Sequence, residues 1–359
     1  MKVLFLNPGP SPYREGFYKE LSKLIDVKFL FYFEDAYLMK GIKYEILKNE
    51  IKGIGYNRGL NLELVHKLSV ENYDVVVNSD PCSFAAHAAY PVVKLRKKKF
   101  VTWAELWQYP NTTAANIIKP YVKKIVKGSD LCIAAGTKAK KLLKEFGAEK
   151  IDIASNASFD VKNLPLNKPR LPKKYILQIG EIRKCDGILE LIKAYKKLKT
   201  NVELVLVGPE KDLDYVAKCK EESEGWPVYF YGYIPWKQLR AYYEKCLFCM
   251  HAAMPVGGLD PVHSWEMTLN EAMSASKPLL ATNIIAGAYD LIEEGKNGYM
   301  VKPNVNDLYK GMKKLLQSKS LNSMGKYSRR LYEKTFNHKN MAKQFAEALK
   351  CLNKKKRTK

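Results

Sequence analysis

The sequence has no run of apolar residues approaching the roughly 20 that a membrane-spanning helix requires. It also lacks a basic leader followed by an apolar segment, because residues 1–7 already have the pattern of a strand. These two absences predict a cytoplasmic protein that is not processed at its N-terminus. A length of 359 residues with 47% hydrophobic content is sufficient for two domains with buried cores.

Several motifs of metal and cofactor chemistry are missing. The seven cysteines are irregularly spaced, which is typical of a reducing compartment and not of a disulfide framework. Cys246 and Cys249 form a CxxC without a second pair, so buried thiols are favoured over zinc. No GxGxxG follows the first strand, which disfavours a dinucleotide-dependent dehydrogenase, and the glycines of residues 53–59 are interpreted as a loop. Asp212 and Asp214 could form a metal pair, but helix capping explains them more simply.

Acidic residues are scarce relative to basic ones, and the net charge is +24. This excess favours a polyanionic partner, although a general lysine bias of the source proteome would produce it too. Basic residues are interleaved with apolar ones at 119–127 and 138–144, and a basic run occupies 94–99. Such stretches fit contact with an anionic membrane surface better than a site that reads nucleic-acid bases. No zinc-finger spacing or aromatic RNA-binding signature is found, so nucleic acid is not an expected partner.

Predicted strands and helices alternate along the chain, which indicates parallel sheets covered by helices on both faces. In the first half, strands are predicted at residues 1–7, 73–78, 100–103 and 130–135. In the second half, they are predicted at residues 175–180, 202–208, 228–233, 247–253, 278–283 and 298–301. A proline-rich segment at 162–174 is the predicted linker between an N-terminal domain (1–161) and a C-terminal domain (175–335). Residues 336–359 are predicted to form a C-terminal helix and a basic tail.

Residues 255–273 combine a glycine-containing loop with a predicted helix start. The loop contains Gly257 and Gly258, and the helix is predicted to begin within 264–266. The first N–H groups of a helix have no intrahelical partner, so they can bind a phosphate. Glu271 lies further along the same helix. The alternative is an ordinary surface helix with a solvated glutamate.

Two other segments of the second half could contact the same phosphate-containing ligand, one through its phosphates and one through a base attached to them. The loop after the strand at 175–180 carries Arg183 and Lys184, which together could offset the charge of a diphosphate. A solvated basic turn explains this pair equally well. Tyr233 and Ile234 lie in a turn that could line a base pocket through backbone groups, although core packing of Ile234 is the simpler interpretation.

In the first half, polar residues follow two predicted strands. The segment at 8–16 contains Tyr13, Arg14 and Gly16, and Glu105 comes directly after the strand at 100–103. The carboxyl ends of parallel strands face the ligand in such folds. Tyr13, Arg14, Gly16 and Glu105 are therefore candidates for the acceptor side, although each of them alone could be structural.

The second half of the chain resembles the retaining GT-B glycosyltransferases, most closely glycosyltransferase family 4. The segments that carry this resemblance are YILQIGEIRKCDGILELIKAYKKL, VELVLVGP, VYFYGYIPWKQLRAYYEKC, NEAMSASKPLLATN and DLIEEGKNGYMV. The first half matches more loosely, through PSPYREGFYKEL and the strand at residue 73. The resemblance implies an α/β fold of two doubly wound Rossmann-like domains facing a cleft, with a C-terminal helical tail.

The function implied by the resemblance is transfer of a sugar from a nucleotide diphosphate sugar to an acceptor, with retention and without a metal or other cofactor. The acceptor would be a glycan or a lipid-linked glycan, and the protein would work at the inner face of the cell membrane. The positions expected to act in catalysis are Glu105, His263 and Glu266. Those expected to bind the donor are Gly180, Arg183, Lys184, Tyr233, Ile234, Trp265, Met267 and Glu271, and those expected to bind the acceptor are Tyr13, Arg14 and Gly16.

The chain departs from the family pattern at four positions. Glu271 matches the second signature glutamate, which holds the ribose in the family, but the first falls on His263 and a following glycine on Glu266. The usual arginine and lysine of the 180–187 loop fall on Glu181 and Asp186. Two alternatives therefore stay open, namely a degenerate protein that only binds a glycan or nucleotide, and a nucleotide-sugar epimerase on a similar scaffold.

Overall fold

The computed structural model describes residues 1–33, 37–48, 50–51, 60–256 and 263–352. The chain forms two compact units, the first of residues Met1–Ala157 with the C-terminal segment from His338, and the second of Ser158–Asn337. The change from one unit to the other lies before the proline-rich segment at 162–174, which belongs to the second unit. Its start is held there because the backbone N–H of Ser158 donates to Asn270 Oδ1 at 2.6 Å.

The first unit is built on a parallel seven-stranded sheet with the order β3-β2-β1-β6-β7-β8-β9. Its strands, with the separate antiparallel pair β4 and β5, are β1 (Lys2–Asn7), β2 (Asp26–Phe31), β3 (Tyr44–Ile46), β4 (Glu50–Ile51), β5 (Leu60–Asn61), β6 (Val75–Asn78), β7 (Lys99–Ala104), β8 (Leu131–Ala134) and β9 (Ile151–Ile153). Its helices before the unit boundary are α1 (Pro12–Leu24), α2 (Leu62–Val70), α3 (Phe84–Leu95), α4 (Thr113–Gly128) and α5 (Thr137–Glu145).

The second unit contains a parallel six-stranded sheet with the order β12-β11-β10-β13-β14-β15. Its strands are β10 (Tyr175–Ile179), β11 (Glu203–Val207), β12 (Val228–Phe230), β13 (Phe248–His251), β14 (Leu279–Thr282) and β15 (Gly298–Val301). Its helices are α6 (Ile188–Lys196), α7 (Leu213–Glu222), α8 (Arg240–Lys245), α9 (Met267–Ser274), α10 (Ala288–Leu291), α11 (Val305–Leu316) and α12 (Leu321–Lys334). The central strands are buried along their whole length because helices cover both faces.

The C-terminal helix α13 (His338–Cys351) belongs to the first unit. It lies against α1, and Phe345 packs with ring-centroid distances of 5.0 Å to Phe17 and 5.3 Å to Trp103. The predicted C-terminal helix is therefore present, but it completes the core of the N-terminal unit. The basic residues at 354–359 lie outside the described part of the chain. Among the described residues, no helix is both long and apolar enough to cross a bilayer.

Candidate functional site

The order of strands in the second unit reverses between β10 and β13. The chain runs from β10 outward to β12 and then returns to β13 on the other side of β10. Ligands of open parallel sheets bind at such a point, beyond the carboxyl ends of the strands. Gly180 directly follows β10 and lies close to Gly208, where a Cβ atom would overlap the carbonyl oxygen of Gly180. The lack of a side chain at Gly208 thus allows the backbone segments that follow β10 and β11 to lie close together.

Three buried ionisable residues and the partly buried Glu266 meet at this point of the sheet. His251 is the last residue of β13, and its Nε2 lies 3.1 Å from Asp186 Oδ1 while its Nδ1 lies 3.5 Å from Glu266 Oε2. These are ion-pair distances without hydrogen-bond alignment. His263 Nδ1 lies 2.6 Å from Glu266 Oε1, and its Nε2 lies 3.1 Å from the carbonyl oxygen of Cys185. The cluster joins the loop after β10 to the segment before α9.

At neutral pH Asp186, Glu266 and His263 are charged, and the surroundings of His251 favour its protonated form. Burial lowers the pKa of His263, but the side chains of Cys185 and Glu266 outweigh it and raise the value to about 9. Burial opposes a charged His251 too, but Glu266 and Asp186 raise its pKa. Although burial disfavours the charged carboxylates, the two histidines hold the pKa of Glu266 below its usual value, and His251 and Arg183 do the same for Asp186.

Arg183, predicted to bind the donor, forms an ion pair with Asp186 through its Nε. Its side chain is still 48% exposed, so part of the guanidinium can reach a ligand. Lys184 is exposed and lies in the short 3₁₀ turn Lys184–Asp186. Glu181 is 3.8 Å from Lys211 on the loop after β11. The two carboxylates that replace basic family positions therefore each have a cationic partner.

The helix after this cluster begins later than predicted. α9 starts at Met267, and Glu266 is its N-cap residue with φ 54°, a left-handed conformation that costs a non-glycine residue energy. The side chain of Glu266 does not cap the helix, because it is held by His263. Trp265 is 4% exposed and packs against Phe336, so its ring is a core residue and not a surface for the donor.

Glu271 is buried in α9 with both carboxylate oxygens hydrogen-bonded. Oε1 accepts from the Ser158 hydroxyl at 2.8 Å, and Oε2 accepts from the Tyr243 hydroxyl at 2.7 Å. Burial raises its pKa to about 7, although these two hydrogen bonds partly offset the shift. Each oxygen can accept a further hydrogen bond, but a ribose must displace a neighbouring side chain to reach it, because Glu271 is only 5% exposed.

The remaining donor-side candidates of the second unit are less concentrated. Tyr233 is 68% exposed, and Ile234 packs partly buried against the hydrophobic core, as the simpler interpretation proposed. Met267 is a partly buried neighbour of the same core. Gly257 and Gly258, the glycines of the predicted phosphate loop, lie outside the described residues.

The buried histidines also raise the question of a metal. Asp186, His251 and His263 can each offer one ligand atom, and these atoms lie within 4.8 Å of one another. Zinc prefers such nitrogen and carboxylate ligands. However, both ring nitrogens of His263 already contact acceptors, which is the arrangement of a protonated imidazole. The residues therefore fit a metal-free ionic cluster better than a coordination site.

In the first unit, two predicted residues that are distant in sequence form an ion pair. Arg14 lies in the first turn of α1, only 8% exposed, and its guanidinium contacts Glu105 and the face of Trp103 at 4.6 Å from the ring centroid. Burial opposes the charge of Arg14, but Glu105 outweighs it and raises the arginine pKa. Arg14 and Glu105 therefore neutralise each other, and the roles predicted for them, acceptor binding by Arg14 and catalysis by Glu105, stay predictions.

Tyr13 and Gly16 occupy the start of α1, where a loop had been predicted. The carbonyl of Tyr13 lies 2.7 Å from His338 Nε2. A Cβ atom at Gly16 would overlap the His338 ring, so the glycine is needed for α13 to pack. This contact gives Gly16 a structural role, and the prediction that it binds an acceptor stays a prediction.

Sequence reasoning missed His251, Asp80 and Asn156, which the fold brings to the two sheet edges. His251 ends the apolar strand FCMH, and Asp80 follows the buried strand β6. A polar residue at the end of an apolar strand, or within two residues of it, was the available signal. Asn156 follows the short strand β9, which the sequence did not predict, so its position could not be inferred.

Residues 165–334 match the family model for glycosyl transferases group 1. An uncharacterized glycosyltransferase of Methanocaldococcus jannaschii is 26% identical over 48% of this chain and 44% of its own length. The N-acetylgalactosamine-N,N'-diacetylbacillosaminyl-diphospho-undecaprenol 4-alpha-N-acetylgalactosaminyltransferase of Campylobacter jejuni is 29% identical over 57% of this chain and 54% of its own length. The chain spans about half the length of these two curated relatives.

Solved structures match almost the entire chain. HepE of Anabaena in complex with UDP superposes with a TM-score of 0.77 at 17% identity, covering 98% of this chain and 100% of its own. Sucrose-phosphate synthase of Thermosynechococcus elongatus gives 0.75 at 16% identity, with 98% and 99% covered. These matches confirm the predicted fold class, two Rossmann-like parallel sheets of the GT-B type with a C-terminal helical segment. The family-model match supports a relationship to the group 1 glycosyltransferases.

Proposed function

We propose that the protein is a family 4 glycosyltransferase that moves a sugar from a nucleotide diphosphate sugar to a hydroxyl acceptor with retention. The observation that carries the proposal is the ionic cluster of Asp186, His251, His263 and Glu266 at the reversal point of the second sheet, within the segment that matches the family. Ligands of doubly wound sheets bind at this position.

The charges near the cluster suit a diphosphate. His263 and Arg183 contribute two positive charges that balance the two negative ones of Asp186 and Glu266, and His251, whose surroundings raise its pKa, shifts the balance toward positive charge. The exposed Lys184 adds another positive charge at the rim. A diphosphate leaving group gains its largest stabilisation from such fixed positive charge. Because side chains supply this charge, we propose that the transfer needs no metal.

The relatives suggest the class of donor and acceptor. HepE has been solved in complex with UDP-glucose, and the Campylobacter jejuni relative is named for transfer of N-acetylgalactosamine to a diphospho-undecaprenol-linked sugar. We therefore propose a UDP-sugar as donor and a glycan or lipid-linked glycan as acceptor, in polysaccharide or glycolipid synthesis. Glu271 is the proposed ribose contact, and UDP would replace the Tyr243 hydroxyl on its carboxylate.

A nucleotide-release assay tests this function. The chain is incubated with a panel of nucleotide sugars and with lipid-linked glycans extracted from bacterial membranes, and release of nucleoside diphosphate is followed. We expect release that depends on the extract, persists in EDTA, and gives a product with the anomeric configuration of the donor by NMR. The double variant Arg183→Ala with Lys184→Ala should lose about 2 to 4 kcal/mol of transition-state stabilisation. Release at the wild-type rate in that variant would refute the role of this pair.

A basic face of the first unit suggests where a lipid-linked acceptor is met. α4 exposes Ile117 and Ile118, which are 74% and 38% accessible, beside the exposed Lys123 and Lys124. α5 packs on the same apolar cluster and adds further exposed lysines. Exposed apolar residues next to lysines are typical of helices that lie on anionic membranes. We propose that this face rests on such a membrane.

Vesicle sedimentation tests the membrane face. The chain should bind vesicles of equal parts phosphatidylserine and phosphatidylcholine at low salt, and should dissociate as salt screens the attraction. Lys123→Glu with Lys124→Glu should abolish binding. The matched control, Lys193→Glu with Lys218→Glu, makes the same change of charge on exposed helices of the second unit. Equal loss of vesicle binding in both double variants would show that binding depends on net charge alone and would contradict the proposed face.

A degenerate, binding-only protein is the second candidate, and the same cluster favours it. His263 and Glu266 are engaged with each other and with His251, so neither carboxylate nor imidazole is free to contact a sugar. In this case nucleotide binding would persist while the release assay stays at background with every donor. Turnover with any donor would eliminate this candidate.

A further inference from the structure

The sheet of the first unit has its own reversal point, between β1 and β6. The chain runs from β1 to β2 and β3 on one side and then returns to β6 on the other. Leu6 pairs with Asn78, so the residues that follow β1 and β6 emerge side by side. Asp80 lies two residues after the end of β6, at this edge. None of the roles discussed above uses this residue.

Asp80 is held in place by its backbone while part of its carboxylate is left open. Its Oδ1 accepts from the Cys82 N–H at 2.8 Å. Its carbonyl oxygen accepts from Asn78 Nδ2 at 2.7 Å and from the Ser83 hydroxyl at 2.8 Å. Among the described residues, the only further hydrogen-bond contact of this carboxylate is the weak one with the Cys82 thiol, and the residue is partly exposed. One carboxylate oxygen in a fixed orientation is thus available to a ligand.

The charge of Asp80 is also uncompensated among the described residues. The neighbouring carboxylate, Glu105, is paired with Arg14, so Arg14 does not neutralise Asp80. Burial, with a smaller contribution from Glu105, raises the pKa of Asp80 to about 6. The carboxylate is therefore ionised at neutral pH, and it is a stronger hydrogen-bond acceptor than a solvated aspartate.

Two fully buried amides near this edge have unpaired atoms. Asn78, whose Nδ2 bonds to the Asp80 carbonyl, has no partner for Oδ1, and Asn156, whose Oδ1 accepts from Arg14 at 3.5 Å, has none for Nδ2. Both residues are 0% exposed. A buried polar atom without a partner is costly and points to a missing ligand or water. The unpaired atoms are an acceptor, Asn78 Oδ1, and a donor, Asn156 Nδ2. A hydroxyl group can both donate and accept, so a ligand with several hydroxyl groups can pair with both.

We propose that Asp80 binds a sugar hydroxyl of the acceptor at the reversal point of the first unit, with Asn78 and Asn156 lining the same site. The inference rests on the proposed glycosyltransferase function and names an acceptor-binding residue for it. Asp80 accepts the hydroxyl hydrogen through Oδ2 while Cys82 holds Oδ1. The ligand class is a hexose or N-acetylhexosamine unit of a glycan, since the open site contains acceptors and donors and no unpaired cation.

Saturation-transfer NMR with simple glycosides tests this site without knowledge of the natural acceptor. The probes are the methyl glycosides of glucose, galactose, N-acetylglucosamine and N-acetylgalactosamine. Wild type is compared with Asp80→Asn, which keeps an oxygen for the Cys82 N–H and removes the charge. The matched control is Asp152→Asn on β9, an exposed aspartate of the same unit. Addition of UDP in a thermal-shift measurement reports the donor site separately.

At least one glycoside should bind wild type and Asp152→Asn, and its affinity should fall about tenfold in Asp80→Asn, since a hydrogen bond to a charged group is lost. The thermal shift caused by UDP should be the same in all three proteins. Equal glycoside binding by Asp80→Asn, or no glycoside bound by wild type, would overturn the proposal. Absence of a UDP shift in all three would instead contradict the proposed donor function, whatever the glycosides do.

Discussion

His263 occupies a position where the family pattern has a glutamate, and its surroundings explain how an opposite charge is accommodated. Glu266 stands where the pattern has a glycine and lies 2.6 Å from the His263 ring. The two departures compensate each other, because a buried imidazolium without a counter-charge would be strongly disfavoured. Sequence reasoning identified both positions as unusual. It could not show that they pair, nor that His251 completes the network.

The stability contribution of His263 should depend on pH. Its folded pKa of about 9 lies above the ordinary value of 6.5, so the contribution is complete below pH 6.5 and is lost as pH rises through 9. His263→Gln should therefore have a free energy of unfolding roughly 3 kcal/mol lower than wild type near pH 6.5. This difference in stability should narrow toward pH 9.5. Calorimetry across this range measures the difference. A difference that is constant with pH would mean that His263 is not charged in the folded protein.

Glu271 predicts the same direction of change at a lower pH. Its folded pKa of about 7 exceeds the ordinary value of 4.5, so ionisation destabilises the folded state increasingly as pH rises from 4.5 to 7. Glu271→Gln cannot ionise and keeps an oxygen and an amide for Ser158 and Tyr243. Relative to wild type, this variant should gain roughly 3 kcal/mol between pH 4.5 and pH 7.5. No relative gain over that interval would contradict the shifted carboxyl.

At the scale of elements, α9 is flanked on both sides by a non-glycine residue in the left-handed backbone conformation. Glu266 precedes the helix with φ 54°, and Ser276 follows it with φ 62°. Glycine adopts this conformation without steric cost, so Ser276→Gly should stabilise the protein by about 1 kcal/mol. Glu266→Gly relieves the same backbone cost but leaves buried His263 without a carboxylate and His251 with Asp186 alone, and should destabilise by about 3 kcal/mol.

Thermal unfolding of the two glycine variants gives the comparison directly, because each makes the same kind of substitution in the same backbone region. Opposite shifts in melting temperature are expected. A rise in both variants would show that the buried ionic network contributes less than the backbone conformation of Glu266.

Most elements of the second unit could be predicted because their strands are apolar runs bounded by glycine or proline. The strand predicted at 175–180 is β10, and the one at 278–283 contains β14. The first unit was harder. β2 follows α1 after a single residue, and β9 has three residues of which the central one is exposed, so neither gives a clear pattern. The α9 start was misjudged because the charge on Glu266 resembles an N-terminal capping signal but serves the histidines.

At the scale of the whole molecule, the chain returns to its first unit at the end. α13 places Phe345 among the rings of Phe5, Phe17 and Trp103. The sequence showed that this segment is helical, since its apolar residues recur with a helical period. It could not show which core receives that apolar face, because the contact joins residues more than 240 positions apart.

Truncating this contact should loosen the first unit selectively. Phe345→Ala removes a fully buried ring and should cost about 3 to 5 kcal/mol. Hydrogen–deuterium exchange should then accelerate in β1 and α1 and stay unchanged in β10 and β13. Phe336→Ala, in the core of the second unit, is the control and should give the reverse pattern. Equal acceleration in both units in either variant would contradict the assignment of α13.

The central claim is that the second unit binds the diphosphate of a nucleotide sugar, and a thermal titration with UDP, GDP, ADP, CDP and dTDP tests it most directly. Binding to the folded chain alone raises its apparent stability, by about 2.7 kcal/mol when the ligand is present at 100 times its dissociation constant. We predict a saturable rise in melting temperature with at least one nucleotide, smaller in the Arg183→Ala, Lys184→Ala variant. No rise with any of the five nucleotides at millimolar concentration would contradict the claim.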